Sequence, residues 1–227
     1  MNSLKMKKSI KMKKLVLFLV IVMASIAMTF AQSDSKSKKL LDEVSTKMNS
    51  YKNIYVEFKY VLDNTKENVH QETRGNATLK GDLYNVNFLG TNQLFDGKKV
   101  FTIIPEDEEV NISDADADDN NTLTPSKFFS FYEKGFTYTW DKVINIQGRQ
   151  IQYVKLMPID SNSEIANVLL GVDVKTKHIY NLIEKGNNST ITTLTISKFK
   201  TNQTLSSKLF VFDEAKYKKE GYLINKL

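Results

Sequence analysis

The sequence predicts a mainly β protein whose strands form an antiparallel meander that closes, or nearly closes, into a barrel. Three features predict this fold. Many short runs alternate polar and apolar residues, glycine-containing turns separate several of these runs, and only two segments have the apolar spacing or the capping residues of a helix. The 227-residue chain contains no cysteine, which excludes disulfides and thiolate metal sites.

Residues 1–31 have the pattern of a cleaved signal peptide. A pair of lysines precedes the apolar run Leu15–Met28, and the following Thr-Phe-Ala sequence ends at Ala31 with the small side chains that a signal peptidase requires. The run is short for a membrane-spanning helix, and its flanks are those of a signal. We therefore expect export and a single domain at residues 32–227.

Two further expectations concern the start of the chain. Met1 and Met12 both precede a complete signal, so either is compatible with initiation. No cysteine follows the cleavage site, so we expect the exported protein to be soluble and to carry no lipid anchor.

The charge of the chain lies mostly in this signal. Residues 1–31 contain six lysines and no acidic residue, so the remaining 26 basic and 26 acidic side chains balance. The basic isoelectric point therefore does not indicate nucleic-acid binding, and we expect no nucleic-acid partner.

An amphipathic helix is predicted first in the exported domain. Its apolar residues recur at spacings of three and four, with charged residues on the opposite side. The apolar residues are Leu40, Leu41, Val44, Met48 and Tyr51. The period then changes to two over residues 54–62, which predicts a strand with Phe58 and Tyr60 on its apolar face.

Further strands follow after short turns such as Lys80-Gly81-Asp82 and Gln147-Gly148-Arg149. The predicted strands are Gly75–Lys80, Leu83–Leu89, Gln93–Phe95, Val100–Ile104, Glu109–Ile112, Phe136–Trp140, Lys142–Ile146, Ile151–Met157, Val168–Val174, His178–Lys185, Thr190–Phe199 and Leu209–Phe212.

A short helix interrupts this series. Thr124 is a suitable N-cap, Pro125 occupies the first helical position, and Gly135 is placed to end the helix. Four aromatic residues lie between them: Phe128, Phe129, Phe131 and Tyr132. Two interpretations are open, a plug for one end of the barrel core and a lid over a ligand cavity.

The sequence contains little that points to catalysis. His70, in a polar stretch between predicted strands, and His178 have no second histidine or cysteine at a ligand spacing, so we expect both to be solvated or on edge strands. The acidic segment at residues 114–121 lacks the glycine and the final glutamate of a calcium loop. We therefore expect no enzyme, no metal and no cofactor.

Several motifs, in order, resemble the LolA-like family of periplasmic carriers of outer-membrane lipoproteins. They are the N-terminal helix, the strand Arg74–Lys80, the hairpin Leu94–Ile103 with its Asp96-Gly97-Lys98 turn, the Thr124-Pro125 helix and the C-terminal residues 209–224. The resemblance implies an incomplete, half-open antiparallel β-barrel, with an N-terminal amphipathic helix and a short lid helix over its concave apolar face. One departure is that Gly81-Asp82 replaces the Arg-Pro pair of the family, whose arginine latches the lid.

The resemblance also implies a function. The protein is expected to shield the acyl chains of lipoproteins in a hydrophobic cavity and to move them from the inner to the outer membrane. Its partners would be acylated lipoproteins, an inner-membrane release complex and an outer-membrane acceptor, and we expect it to act as a monomer. Rival functions are a carrier or sensor of other lipids, an exported envelope hydrolase and a structural β-domain with a filled core.

Period and resemblance together suggest a set of acyl-binding residues, although ordinary core packing accounts equally well for each. The strand positions are Phe58, Tyr60, Val86 and Phe88, the lid positions are Phe128, Phe129 and Phe131, and the helix positions are Leu41, Val44 and Met48.

Overall fold

The computed structural model describes residues 35–115 and 125–227. The predicted signal peptide and its cleavage site lie outside these residues, as do most of the acidic segment and Thr124. No helix within the two described ranges is long and apolar enough to cross a membrane.

The first described element is helix α1, at residues 35–49. Its apolar stripe is buried as predicted, with Leu40, Leu41, Val44 and Met48 all at most 6 % exposed. Lys38 and Asp42 form an exposed ion pair one turn apart on the opposite side. The helix therefore packs its stripe against the sheet that follows it.

Twelve strands of the described chain form one sheet. The first six are β1 (Ile54–Asn64), β2 (Val69–Lys80), β3 (Leu83–Phe88), β4 (Thr91–Phe95), β5 (Lys99–Ile104) and β6 (Glu109–Asp114). The others are β7 (Phe136–Ile146), β8 (Arg149–Pro158), β9 (Ile165–Asp173), β10 (Ile179–Gly186), β11 (Thr190–Thr201) and β12 (Leu223–Lys226).

The spatial order of the strands is β12-β6-β5-β4-β3-β2-β1-β11-β10-β9-β8-β7. All neighbours are antiparallel except β12, which pairs in parallel with β6. Since β7 and β12 are the two ends of this order, the sheet is open. The half-open barrel is thus confirmed, and full closure is not what the chain adopts.

The lid consists of two short 3-10 helices, Pro125–Phe129 and Phe131–Glu133, between β6 and β7. The first lies against β2 and β3, and Phe131 in the second lies 5.9 Å from Phe136 at the start of β7. In a flat sheet β3 and β7 would be roughly 34 Å apart at about 4.8 Å per strand. The lid, residues 125–133, spans only about 18 Å at about 2 Å per residue. The sheet must therefore curve around the lid, which lies on its concave face.

Two apolar clusters lie on opposite faces of the sheet. The larger fills the concave face and contains α1, lid residues and strands on both sides of β1. The smaller lies on the convex face of β4 to β6. Its buried members are Leu94, Phe101, Ile103, Val110 and Ile112.

The C-terminal segment covers the convex cluster. Phe212 stacks on Phe101 with 4.5 Å between ring centroids and on Tyr217 at 5.3 Å. Asn85 on β3 donates a hydrogen bond of 2.9 Å to the carbonyl of Leu209. Residues 209–222 are thereby fixed across the outside of the sheet.

Two predicted elements differ from the structure. The predicted strand Leu209–Phe212 is wrong, because the chain turns there and Asp213 caps a short helix, α2 (Glu214–Lys219), by accepting from the Lys216 N–H. The two runs predicted on either side of Asp141 are one strand, β7, with a bulge after Trp140. The Gln152 side-chain amide donates to the Asp141 carbonyl at 2.7 Å, which satisfies the bulged backbone.

Removing the Phe212 ring should undock the C-terminal segment. We expect Phe212→Ala to lower the free energy of unfolding by about 1–3 kcal/mol, since a stacked and partly buried ring is lost. Its neighbour Val211 is 59 % exposed, so Val211→Ala should change the stability by less than about 0.5 kcal/mol. Chemical denaturation of both variants measures the difference, and equal effects would show that the ring does not hold the segment.

Candidate functional site

The concave face of the sheet is the candidate site, because it presents an apolar surface that its covering elements leave partly accessible. Strand register defines which side chains share this face. Phe58 on β1 is paired with Ile196 on β11, and Tyr60 with Leu194. On the other side of β1, Phe58 is paired with Gly75 of β2.

Gly75 makes room for an aromatic group on this face. A β-carbon at Gly75 would lie 2.5 Å from Cζ of Phe58 and 2.7 Å from the backbone oxygen of Asn87, so a side chain is excluded there. The Phe58 ring therefore lies across β2 and reaches Phe88 on β3, at 5.4 Å between centroids. Tyr60 contacts the same Phe88 ring edge-on at 5.2 Å.

The lid contributes a second aromatic group. Phe129 is buried and lies edge-on to Phe128 at 5.1 Å and to Phe199 of β11 at 6.1 Å. Phe131 lies between Phe128 and Phe136. These rings cover the middle of the concave face.

The structure divides the ten suggested acyl-binding residues into two groups of five. Five are buried within the concave cluster, where they pack as core: Leu41, Val44, Met48, Phe58 and Phe129. Five remain half-buried: Tyr60, Val86, Phe88, Phe128 and Phe131. The half-buried group, from β1, β3 and the lid, lies on the same concave face and includes the contacting pairs Tyr60–Phe88 and Phe128–Phe131, and its role in binding stays a prediction. We call it the aromatic patch.

A polar contact joins the lid to α1. The Ser45 hydroxyl donates to Oε1 of Glu133 at 2.5 Å. Beside it, the Tyr138 hydroxyl donates to the Tyr132 carbonyl at 2.7 Å, which joins the lid to β7. These two hydrogen bonds attach the lid to α1 and to β7.

A cavity of about 360 Å³ lies beside this contact, between the N-terminal half of α1 and the lid. Tyr132 is 1 % exposed, and its hydroxyl has no hydrogen-bond partner among the described residues. Burial raises the pKa of this hydroxyl far above its ordinary value, so it stays protonated. The cavity is lined by Lys38, Leu41, Asp42, Ser45, Thr46, Tyr132, Glu133 and Tyr138.

The other end of α1 is held by His178. The Tyr51 hydroxyl and His178 Nε2 are hydrogen-bonded at 2.8 Å, and the imidazole stacks on Phe199 at 4.0 Å between centroids. Next to it, Lys177 forms an ion pair of 2.7 Å with Glu43. The expectation that His178 is solvated is therefore wrong, because α1 folds back over this end of the sheet.

Burial lowers the pKa of His178, and the nearby positive charge of Lys47 acts in the same direction. The imidazole is therefore neutral near pH 7. The other histidine, His70, is largely exposed, as expected, although it lies within β2 beside Asp63 and not between strands.

No cluster of three or more potential metal ligands occurs in residues 35–115 and 125–227. The chemistry that the concave face offers is apolar burial with a few hydrogen bonds at its rim.

One solved structure supports the fold, and two others align with lower scores. An uncharacterized conserved protein from Thermus thermophilus aligns over 85 % of this chain and 99 % of its own, with a TM-score of 0.54 and 10 % identity. A LolA superfamily protein from Nitrosomonas europaea aligns over 78 % of this chain and 98 % of its own, with a TM-score of 0.42 and 13 % identity. A putative outer membrane lipoprotein-sorting protein domain from Vibrio parahaemolyticus aligns over 83 % of this chain and 98 % of its own, with a TM-score of 0.40 and 11 % identity. No protein-family model and no curated protein sequence matches the chain.

The His178 contact should make the fold sensitive to mild acid. The pKa of His178 is lower in the folded protein than in the unfolded chain, so folding favours the neutral side chain. This contribution to stability is complete above pH about 6.5, the ordinary pKa of histidine. It is lost as the pH falls from there towards the lowered pKa. We expect His178→Gln to remove this loss of stability between pH 7 and 5, as measured by thermal unfolding at a series of pH values.

The control for this experiment is His70→Gln, which alters a histidine far from α1. It should retain the acid-dependent loss that His178 causes. An unchanged pH profile in His178→Gln would exclude the half-buried imidazole as the source of the acid-dependent loss.

Proposed function

We propose that the protein is a periplasmic carrier that shields the acyl chains of lipoproteins on its concave face and carries them from the inner to the outer membrane. The observation that supports it most directly is the aromatic patch, a half-accessible apolar surface to which β1, β3 and the lid contribute. The sequence resemblance to the LolA-like family supports the same function, and the predicted signal peptide supports export.

The energetics explain why such cargo needs a carrier. At about 0.8 kcal/mol per buried CH₂, an acyl chain of roughly fifteen methylenes costs on the order of 12 kcal/mol to expose to water. A carrier must bury most of the acyl chain and still release it. The free energy of the chain on the carrier therefore has to be close to its free energy in the membrane. Aromatic side chains provide a large apolar surface without a narrow shape requirement.

The lid contacts fit a carrier that opens. Ser45 and Glu133 meet at the exposed surface of the protein, where a single hydrogen bond contributes only about 1–2 kcal/mol. Phe128 and Phe131 are half-buried in the closed state, so opening exposes little additional apolar area at these positions. Opening also exposes Phe129 and Tyr132, which are buried, so the acyl chain would have to replace their apolar contacts as it displaces the lid.

We further propose that the protein acts by binding and does not catalyse a reaction. On this proposal its partners are acylated lipoproteins, a donor complex in the inner membrane and an acceptor at the outer membrane. A carrier or sensor of free lipids is the alternative, and the identity of the bound molecules distinguishes the two.

A charge placed in the aromatic patch should abolish acyl binding. We expect Phe88→Asp to weaken binding of a fluorescent long-chain acyl probe at least about tenfold, because the ligand would have to desolvate a carboxylate. The adjacent Leu89 is 62 % exposed, so Leu89→Asp introduces the same charge one residue away and should bind like the wild type. Circular dichroism establishes that both variants are folded.

The same pair of variants tests the cargo. The wild-type protein and Leu89→Asp, captured from the bacterial envelope, should carry acylated lipoproteins detectable by mass spectrometry, and Phe88→Asp should not. Free lipids without lipoproteins would favour the alternative carrier. Probe binding that is equal in all three proteins would refute the acyl site.

Weakening the contact between the lid and α1 should speed the release of a bound acyl ligand. Ser45→Ala removes the hydrogen bond to Glu133, and we expect the probe to dissociate roughly three- to tenfold faster. Ser50→Ala makes the same change just after α1, where the hydroxyl donates to the Lys47 carbonyl, and should leave the rate unchanged. Stopped-flow dissociation measures both, and identical rates would show that this contact does not hold the lid.

A further inference from the structure

A carboxylate lies on the concave face where the strand pattern would place an apolar residue. Glu184 is on β10, two residues after the buried Leu182, and successive side chains of a strand alternate between faces. It is paired with Val168 on β9 and with Thr192 on β11. Its side chain is half-buried.

This carboxylate has no partner in the described chain. Its oxygens form no ion pair with, and accept no hydrogen bond from, residues 35–115 or 125–227. On the convex face, by contrast, Glu57 is paired with Lys198 at 2.8 Å and Glu72 with Lys59 at 2.7 Å. Glu184 therefore differs from these acidic residues of β1 and β2.

The surroundings of Glu184 offer nothing that compensates its charge. The residues level with it on the same face are Leu156, Val168, Thr192 and Leu62, and none of them is charged. The pKa of Glu184 is raised by burial alone. A half-buried and uncompensated carboxylate is unfavourable for the empty protein.

Glu184 lies near one end of the aromatic patch, and this position suggests a role in ligand binding. Thr192 separates Glu184 from Leu62 of β1, so the carboxylate lies two strands, or about 10 Å, from β1. Tyr60 of the patch is one inward-facing position further along β1. An acyl chain on the patch would therefore have its polar end within reach of Glu184.

We propose that Glu184 recognises a protonated amine in the polar head of the bound amphiphile, so that the site selects acyl ligands with an ammonium group next to the chain. This inference rests on the proposed acyl site. The ammonium supplies the positive charge and the N–H donors that the concave face around Glu184 lacks, and the apolar surroundings strengthen the contact. Acyl ligands with an anionic head would instead be repelled.

Two single-chain probes of equal length test this selectivity. Dodecylammonium and dodecanoate compete at pH 7 with a neutral fluorescent probe, N-phenyl-1-naphthylamine, for the full-length protein. We expect dodecylammonium to bind about tenfold more tightly than dodecanoate, and Glu184→Gln to abolish the difference. Glu72→Gln removes the same charge from the convex face and should preserve the preference.

The outcomes separate this inference from the proposed function. If both amphiphiles displace the probe equally from the wild type, or if Glu184→Gln keeps the full preference, the assignment of Glu184 is wrong while the acyl site stands. If neither amphiphile displaces the probe, the acyl site itself is refuted. Since the wild-type comparison is decisive alone, a folding defect in Glu184→Gln does not leave the proposal untested.

The ammonium can come from the ethanolamine head of a phospholipid or from a lysine near the acylated end of a lipoprotein. Two further pairs of ligands distinguish these sources by their binding to the protein. The lipid pair is short-chain phosphatidylethanolamine and phosphatidylglycerol. The peptide pair is an acylated peptide that contains lysine and the same peptide with glutamate in its place. A Glu184-dependent preference within the lipid pair assigns the headgroup, and one within the peptide pair assigns the cargo side chain. Absence of a preference in both pairs would overturn the proposal.

Discussion

The structure depends on one constraint: the concave face of a long curved sheet is apolar, and the elements available to cover it are too small. Helix α1 contributes a single stripe of four buried residues, and the lid is only two short 3-10 helices. Together they bury the cluster over β8 to β10 and the start of β1. The remaining apolar side chains on β1, β3 and the lid stay half-exposed. This half-exposed apolar surface is the basis of the carrier function proposed above.

Helix α1 and the lid are attached to the sheet by contacts of different strength, and this difference determines which of them can open the concave face more easily. Helix α1 is held by its buried stripe and by the Tyr51–His178 hydrogen bond over Phe199. The lid is held by Phe129 and Tyr132, which are buried, and by hydrogen bonds from Ser45 and Tyr138. An opening motion that leaves α1 in place thus breaks fewer apolar contacts than one that removes it, so the lid is the element suited to move.

Strand pairing between distant parts of the chain accounts for what sequence reasoning missed at the site. The apolar patterns of β1, β3 and the lid were sufficient to select the residues of the aromatic patch, but not to separate them from the buried core residues. Phe58 became core because Gly75 leaves space for its ring, and Phe129 because Phe199 lies beneath it. Nothing in the sequence indicated that Glu184 lies on the concave face, since a polar residue in a strand is ordinarily assigned to the solvent face. His178 gave none either, because its partner Tyr51 is 127 residues away.

The sequence by itself determined the local elements: the helix stripe at Leu40 to Met48, most of the strands, and the lid position. These depend on periods of 3.6 and 2 residues and on turn residues, all of which are local. Only the tertiary structure decided that β1 lies between β2 and β11, that the sheet stays open, and that the aromatic residues after Leu209 pack on the convex face as loop and helix. Those outcomes follow from which distant surfaces bury each other, and no short stretch of chain contains that information.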